Sequence, residues 1–235
     1  RPAICADPAP PASLIAHVQA IGGDDIRYGR DFAVARSADG WAFRGRTGVQ
    51  ADLPRPAMAG DYQLRNAAAA LAALEALSVR LPVDADAIRA GLTRARVRGR
   101  FERIAGSPEL IVDVAHNPEA ARALASALAA HPAPGRTLAV VGMLADKDAA
   151  GVFGALGDAV DAWWTCTPDS PRARPAGALA ETLRTSLPDA QVTVCGHPLE
   201  ALAAARSAAH EGDRILAFGS FTTVAAVLDH AATQQ

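Results

Sequence analysis

From residue 101 onward, short apolar runs alternate with alanine-rich stretches of helical spacing. The runs are Leu110–Ala115, Thr137–Gly142, Ala162–Cys166, Gln191–Cys195 and Arg214–Gly219. The spacing predicts helices near 118–130, 148–159, 175–187, 198–210 and 221–231. A strand that is apolar throughout needs cover on both faces, and a helix-length spacer is what a parallel crossover requires. The pattern therefore predicts an α/β fold: a Rossmann-like domain with a mostly parallel sheet flanked by helices. Sheets of this kind bind ligands beyond the C-terminal ends of their strands.

The first hundred residues read as mixed. Pro2–Ala6 has strand character, and Ser13–Ile21 carries Leu14, Ile15 and Val18 at helical spacing. Phe32 to Arg46 reads as a hairpin turning at Ala38-Asp39-Gly40. An alanine-rich helix is predicted over Tyr62–Leu77, and a second from Asp84, its N-cap, to Arg94. Charge changes sign along the chain, from +4 over residues 1–100 to -6 over 101–235. The change falls beside Arg94, Arg96, Arg98 and Arg100, with Gly99 among them. That cluster reads as a linker between units 1–98 and 99–235.

A net charge of -2 lacks the basic footprint of a nucleic-acid binder. No uncharged apolar run is long enough for a membrane span. Cys5, Cys166 and Cys195 are too scattered for a disulfide framework or a CxxC metal site, which suits a reducing compartment. The six histidines form no HExxH pair, and no GxxxxGK[ST] loop occurs. The chain opens at Arg1, inside a predicted strand, and is expected to be part of a longer protein.

The polar residues just after the strands are the first functional candidates. Asp113 in an apolar strand needs hydrogen bonds to offset burial. Asn117-Pro118 fits a helix start, whose positive end suits an anion. A capping turn accounts for the segment Asp113–Pro118 equally well. Lys147 lies between Asp146 and Asp148, which alone reads as a solvated salt-bridge loop. It is, however, the only lysine among 23 basic residues, and a compact ammonium is not interchangeable with a guanidinium. Thr167, Asp169 and His197 follow other strands. Ser220 reads as an N-cap whose neighbouring backbone N–H groups also suit a small carboxylate. Asn66, among alanines, is a surface residue or a partner for a purine edge. Arg100 is a solvated linker residue or a phosphate ligand.

Several segments, taken in order, carry a resemblance. They are Arg1-Pro-Ala-Ile, Gln63-Leu-Arg-Asn66 with its alanines, Gly99-Arg100-Phe101-Glu102, Asp113-Val-Ala-His116-Asn117-Pro118, Gly142-Met-Leu-Ala-Asp146-Lys147-Asp148 and Gly219-Ser220-Phe221-Thr222. Together they resemble the C-terminal half of the bifunctional dihydrofolate synthase/folylpolyglutamate synthase family, within the Mur ligase superfamily. The resemblance implies the tail of a central α/β ATPase domain over residues 1–98 and a glutamate ligase domain over 99–235. It implies a monomeric, cytoplasmic enzyme that uses ATP and Mg2+ to join L-glutamate to dihydropteroate and to folates through an acyl phosphate. By the same resemblance, Asn66 would contact adenine and Arg100 the phosphates. Asp113 would hold the ribose or orient Arg100, and His116 would lie near the transferred phosphate. Lys147 and Ser220 would serve the incoming glutamate. The metal ligands and the P-loop would precede Arg1, so residues 1–235 alone are expected to be inactive. Arg98 stands where the family usually has proline. Two alternatives remain: a folylpolyglutamate synthase without the dihydropteroate activity, and a non-catalytic nucleotide-binding module.

Overall fold

The computed structural model describes residues 1–37, 40–60 and 62–233. It divides into two units, Arg1–Arg96 and Val97–Gln235. The division falls just ahead of the 98/99 boundary. Arg98 pairs with Glu102, and the Gly99 amide donates to the same carboxylate at 2.8 Å, which ties both residues to the second unit.

The first unit starts with a strand–helix–strand turn. β1 (Pro2–Cys5) leads through α1 (Ala12–Ala20) to β2 (Asp24–Arg27), and the two strands pair in parallel. β3 (Ala33–Arg36), β4 (Trp41–Arg44) and β5 (Val49–Leu53) form an antiparallel sheet. The β3–β4 hairpin forms as predicted, but its expected turn at Ala38 and Asp39 lies outside the described residues. Phe32, Trp41, Phe43 and Leu53 pack with Leu64, Ala68, Leu71 and Ala72 of α2 (Tyr62–Ala76). Alanines on that face let the helix lie close to the aromatic sheet. Glu75 of α2 accepts from the amides of Arg46 and Thr47 at 3.0 and 2.7 Å and so fastens the β4–β5 turn. α3 (Ala85–Arg94) starts at Asp84, whose carboxylate accepts from the Ala87 amide at 2.7 Å.

The second unit contains one six-stranded sheet. Its strands are β6 (Glu102–Ile104), β7 (Glu109–Asp113), β8 (Thr137–Val141), β9 (Ala162–Thr165), β10 (Gln191–Val194) and β11 (Arg214–Phe218). The order is β10-β9-β8-β11-β7-β6, parallel except for the edge strand β6. α4 (Pro118–Ala130), α5 (Ala149–Leu156) and α6 (Ala176–Ser186) pack in sequence, while α7 (Pro198–Ala208) packs with α8 (Phe221–Ala232). Strand alternation divides the core. Val112, Val140, Trp164 and Ala217 meet Leu202, Val224 and Val227 of α7 and α8. Trp163 lies against Phe153 of α5 and Phe218 of β11 instead. The return of the chain from β10 to β11, between β8 and β7, opens a crevice at the strands' C-terminal ends. Among the described residues no helix is long and apolar enough to cross a membrane.

Candidate functional site

Four strand ends contribute to this edge. Asp113 closes β7 and is only 5% exposed. Its carboxylate accepts from the Phe101 amide at 2.8 Å and from the Ala115 amide at 2.7 Å. Burial raises its pKa, against the opposing pull of those two amides and of nearby Arg100 and His116. Phe101 is a non-glycine residue at φ 44°, so the bond to Asp113 holds a backbone conformation that phenylalanine rarely adopts. Gly99, at φ 70°, brings the chain against Val224 and Val114; a Cβ there would sit 2.9 Å from Val224 Cγ1. Arg100 projects between these two residues, with its guanidinium carbon 6.0 Å from the Phe221 ring centroid, at the outer range of a cation–π contact.

His116 follows on the same loop. Its Nδ1 lies 2.7 Å from the Val114 carbonyl, so that nitrogen carries a proton and Nε2 is left for a ligand. Asn117 caps α4 by accepting from the Ala120 amide at 2.9 Å, with Pro118 in the first turn. Both residues serve the helix start that the sequence predicts.

The glycines that follow β8 and β11, Gly142 and Gly219, are in close contact. A Cβ on Gly219 (φ 107°) would lie 2.7 Å from the Gly142 carbonyl oxygen, and one on Gly142 would lie 2.6 Å from Thr223 Oγ1. The Thr223 hydroxyl donates to that carbonyl at 3.0 Å. Ser220 caps α8 by accepting from the Thr223 amide at 3.0 Å, and its hydroxyl also meets Thr222 and Thr223. The first turn of α8 is thereby locked to the end of β8.

The loops after β8 and β9 are joined to each other. The Ala145 amide donates to the Arg172 carbonyl and the Arg174 amide to the Met143 carbonyl, each at 2.9 Å. The Arg174 guanidinium donates to the carbonyls of Ala145 and Lys147 at 2.9 and 3.0 Å. Asp146 receives Lys147 Nζ and Arg172 Nη2, each at 3.0 Å. Lys147 first, then Arg172, lowers the Asp146 pKa to about 2.

These elements surround a cavity of about 360 Å³ whose walls include His116, Leu144, Lys147, Arg172, Ser220 and Phe221. Among the described residues its lining holds two cationic side chains, both paired with Asp146, and a helix N-terminus, but no carboxylate. That combination attracts a small anionic ligand.

The structure brings His116, Lys147 and Ser220 into this cavity. Arg100 stands beside it through Phe221, and Asp113 lies behind, fixing the Phe101 and Ala115 backbone. Asn66 belongs to the other unit, exposed on α2, with Nδ2 donating to Gln63 Oε1 at 3.1 Å. His197 caps α7, its Nδ1 accepting from the Leu199 amide, and Thr167 Oγ1 accepts from the Ala176 amide at the start of α6. Arg172, Arg174 and Phe221 escape sequence reading. The arginines do not stand out where 22 of 23 basic residues are arginine, and Phe221 resembles a core residue until it proves 61% exposed.

A family model described as "Mur ligase, glutamate ligase domain" matches residues 99–221. Dihydrofolate synthase/folylpolyglutamate synthase of Escherichia coli strain K12 is 38% identical, over 97% of this chain and 51% of its own length. The solved structure of E. coli FolC in complex with DHPP and ADP superposes with a TM-score of 0.88 at 36% identity, covering 100% of this chain and 54% of that one. A bifunctional folylpolyglutamate synthase/dihydrofolate synthase solved with Mn, AMPPNP and L-glutamate gives 0.85 at 35% identity, with the same 100% and 54% coverage. The chain thus spans about half the length of the relatives it matches.

Proposed function

The chain belongs to the Mur ligase family, and on that premise we propose that it serves ATP-dependent ligation of L-glutamate to dihydropteroate and to folates. The observation that carries this reading is the cavity at the ends of β7, β8 and β11, cationic and free of lining carboxylates, of a size for one amino acid. In this reading the acceptor carboxylate attacks the γ-phosphorus of ATP, releasing ADP and leaving an acyl phosphate. The amine of glutamate then attacks the acyl carbon, phosphate departs and an amide forms. Catalysis of this kind rests on charge stabilisation and positioning.

The residues take complementary roles. Asn66 contacts adenine, and Arg100 contacts the nucleotide phosphates with its planar, always-charged fork. Asp113 is a positioning residue: by holding the Phe101 amide it fixes the backbone that projects Arg100. His116 offers Nε2 toward the phosphoryl being transferred, its other nitrogen being held by Val114. Lys147 neutralises a carboxylate of glutamate, and Ser220 shapes the adjoining wall through its cap on α8. Among the described residues no group of three or more His, Cys, Asp or Glu side chains can hold a metal ion. By the resemblance, Mg2+ accompanies the nucleotide. The enzyme works as a cytoplasmic monomer on small-molecule substrates.

The test is an assay of the complete ligase that contains this chain. ADP release that depends on both L-glutamate and dihydropteroate, and again on glutamate and a reduced folate, is the expected result. Release with folate alone would reduce the activity to folylpolyglutamate synthesis. Release with neither acceptor, from folded enzyme, would refute the proposal.

A further inference from the structure

We infer that Phe221 is a positioning residue whose ring holds the Arg100 guanidinium for the nucleotide phosphates; the inference rests on the function proposed above. A single exposed phenylalanine on a protein surface needs no explanation. Phe221 differs in what surrounds it. It is 61% exposed, yet its ring meets two polar side chains of the site, each brought by another segment. Arg100, ahead of β6, places its guanidinium carbon over the ring at 6.0 Å from the centroid. His116, after β7, places its imidazole 6.2 Å from the same centroid, tilted by 49°.

The ring is fixed from two sides. Phe221 opens α8 directly after the N-cap Ser220, in the turn that Thr223 ties to the Gly142 carbonyl. His116 braces the ring, and the 2.7 Å contact between its Nδ1 and the Val114 carbonyl keeps the imidazole from swinging away. Arg100 has no such bond. Among the described residues its side chain makes no hydrogen bond or ion pair, so the face of Phe221 is what the guanidinium rests on. Asp113 fixes the base of this side chain through the Phe101 amide, and the ring fixes its tip. An arginine that rotates freely loses that freedom on binding an anion, and a ring that confines it beforehand reduces the loss. The ring attracts the charge through its negative face and occupies none of the N–H donors. All of them stay available to phosphate oxygens. A carboxylate in the same place would compete with the phosphates for the same donors.

The experiment uses the complete ligase as wild type and with Phe221→Leu, Phe221→Tyr, Arg100→Gln, or Phe221→Leu and Arg100→Gln together. Titration calorimetry measures ADP binding, and turnover measures the glutamate KM. Phe221→Leu keeps an apolar side chain but removes the π face. It is expected to raise the ADP dissociation constant by about 3- to 30-fold, the span of a cation–π contact from exposed to desolvated. Phe221→Tyr should stay within twofold of wild type. The thermal midpoint should hold in both, because a side chain this exposed adds little to folding. Arg100→Gln should weaken ADP binding by itself, and adding Phe221→Leu should weaken it no further, since the ring then has nothing to hold. ADP binding within twofold of wild type in Phe221→Leu, or effects of the two substitutions that multiply, would overturn the inference while leaving the proposed function intact. A change in the glutamate KM alone would overturn it too and leave Phe221 as a wall of the cavity. A wild-type ligase that binds ADP but ligates no glutamate would overturn the proposed function, and the same titrations would still decide the role of Phe221.

Discussion

Asp113 allows the sharpest test of how the site is built. Asp113→Asn keeps the shape of the side chain but replaces one acceptor oxygen with a donor. The amides of Phe101 and Ala115 use one oxygen each, so one of them loses its partner in a place that is 5% exposed. An orphaned buried N–H costs about 1–3 kcal/mol, and Asp113→Ala, which orphans both, costs about twice that. Urea unfolding followed by the fluorescence of Trp163 and Trp164 measures this in the second unit, with Trp41 of the first unit replaced by phenylalanine. The midpoint should fall at constant m, and further for alanine than for asparagine. The pH dependence adds a second constraint. Burial raises the folded-state pKa of Asp113 above the ordinary carboxyl value of 3.8. Between those two values the unfolded chain ionises while the folded chain stays protonated, so wild-type stability falls as pH rises through that window and is level above it. The Asn variant has no such titration, so the wild type's advantage should be greatest at the acid end. Equal midpoints for wild type and Asp113→Asn, or an advantage that grows with pH, would refute the account of Asp113 as a buried carboxylate anchoring two amides.

Three further substitutions probe the rest of the chain. Gly219→Ala places a Cβ 2.7 Å from the Gly142 carbonyl at φ 107° and should cost about 3 kcal/mol, measured by thermal unfolding. Gly177→Ala, in helix α6 with nothing within 4 Å of the new Cβ, should instead gain about 0.5–1 kcal/mol. Glu75→Gln tests the first unit. Burial raises the Glu75 pKa, but bonds from the Thr47 hydroxyl, the Thr47 and Arg46 amides and the Arg46 charge outweigh it and hold it below 4.5. Its stabilisation is therefore complete above pH 4.5 and lost as pH falls through the lower folded value, so the gap between wild type and variant should close in acid. Trp41 fluorescence reports it.

The parallel strands were legible because each of β7, β8, β9 and β11 is buried nearly throughout and reads as an unbroken apolar run. Three strands escaped for the opposite reason. β2 opens with Asp24-Asp25, β5 buries only Leu53, and β6 is the three-residue segment Glu102–Ile104 with no buried member. Backbone pairing holds such strands, and backbone pairing leaves little mark on side-chain pattern. In the site, Asp113 and His116 stood out as polar residues closing an apolar run. Arg172 did not, because its meaning comes from Asp146, 26 positions away in sequence, and from a loop pairing that no local pattern records.

The lock among Gly142, Gly219 and Thr223 has a consequence for redesign. It gives the cavity one wall that tolerates almost no added atom, since even a methyl group at either glycine meets a neighbour within 3 Å. The opposite wall consists of long side chains on loops held by their backbones, so its chemistry is replaceable without loosening its frame. A library aimed at changing what the cavity binds should therefore vary Ser170 and Arg172 and leave residues 219–223 untouched. Variants drawn from the first group should fold, and their differences should be readable as recognition.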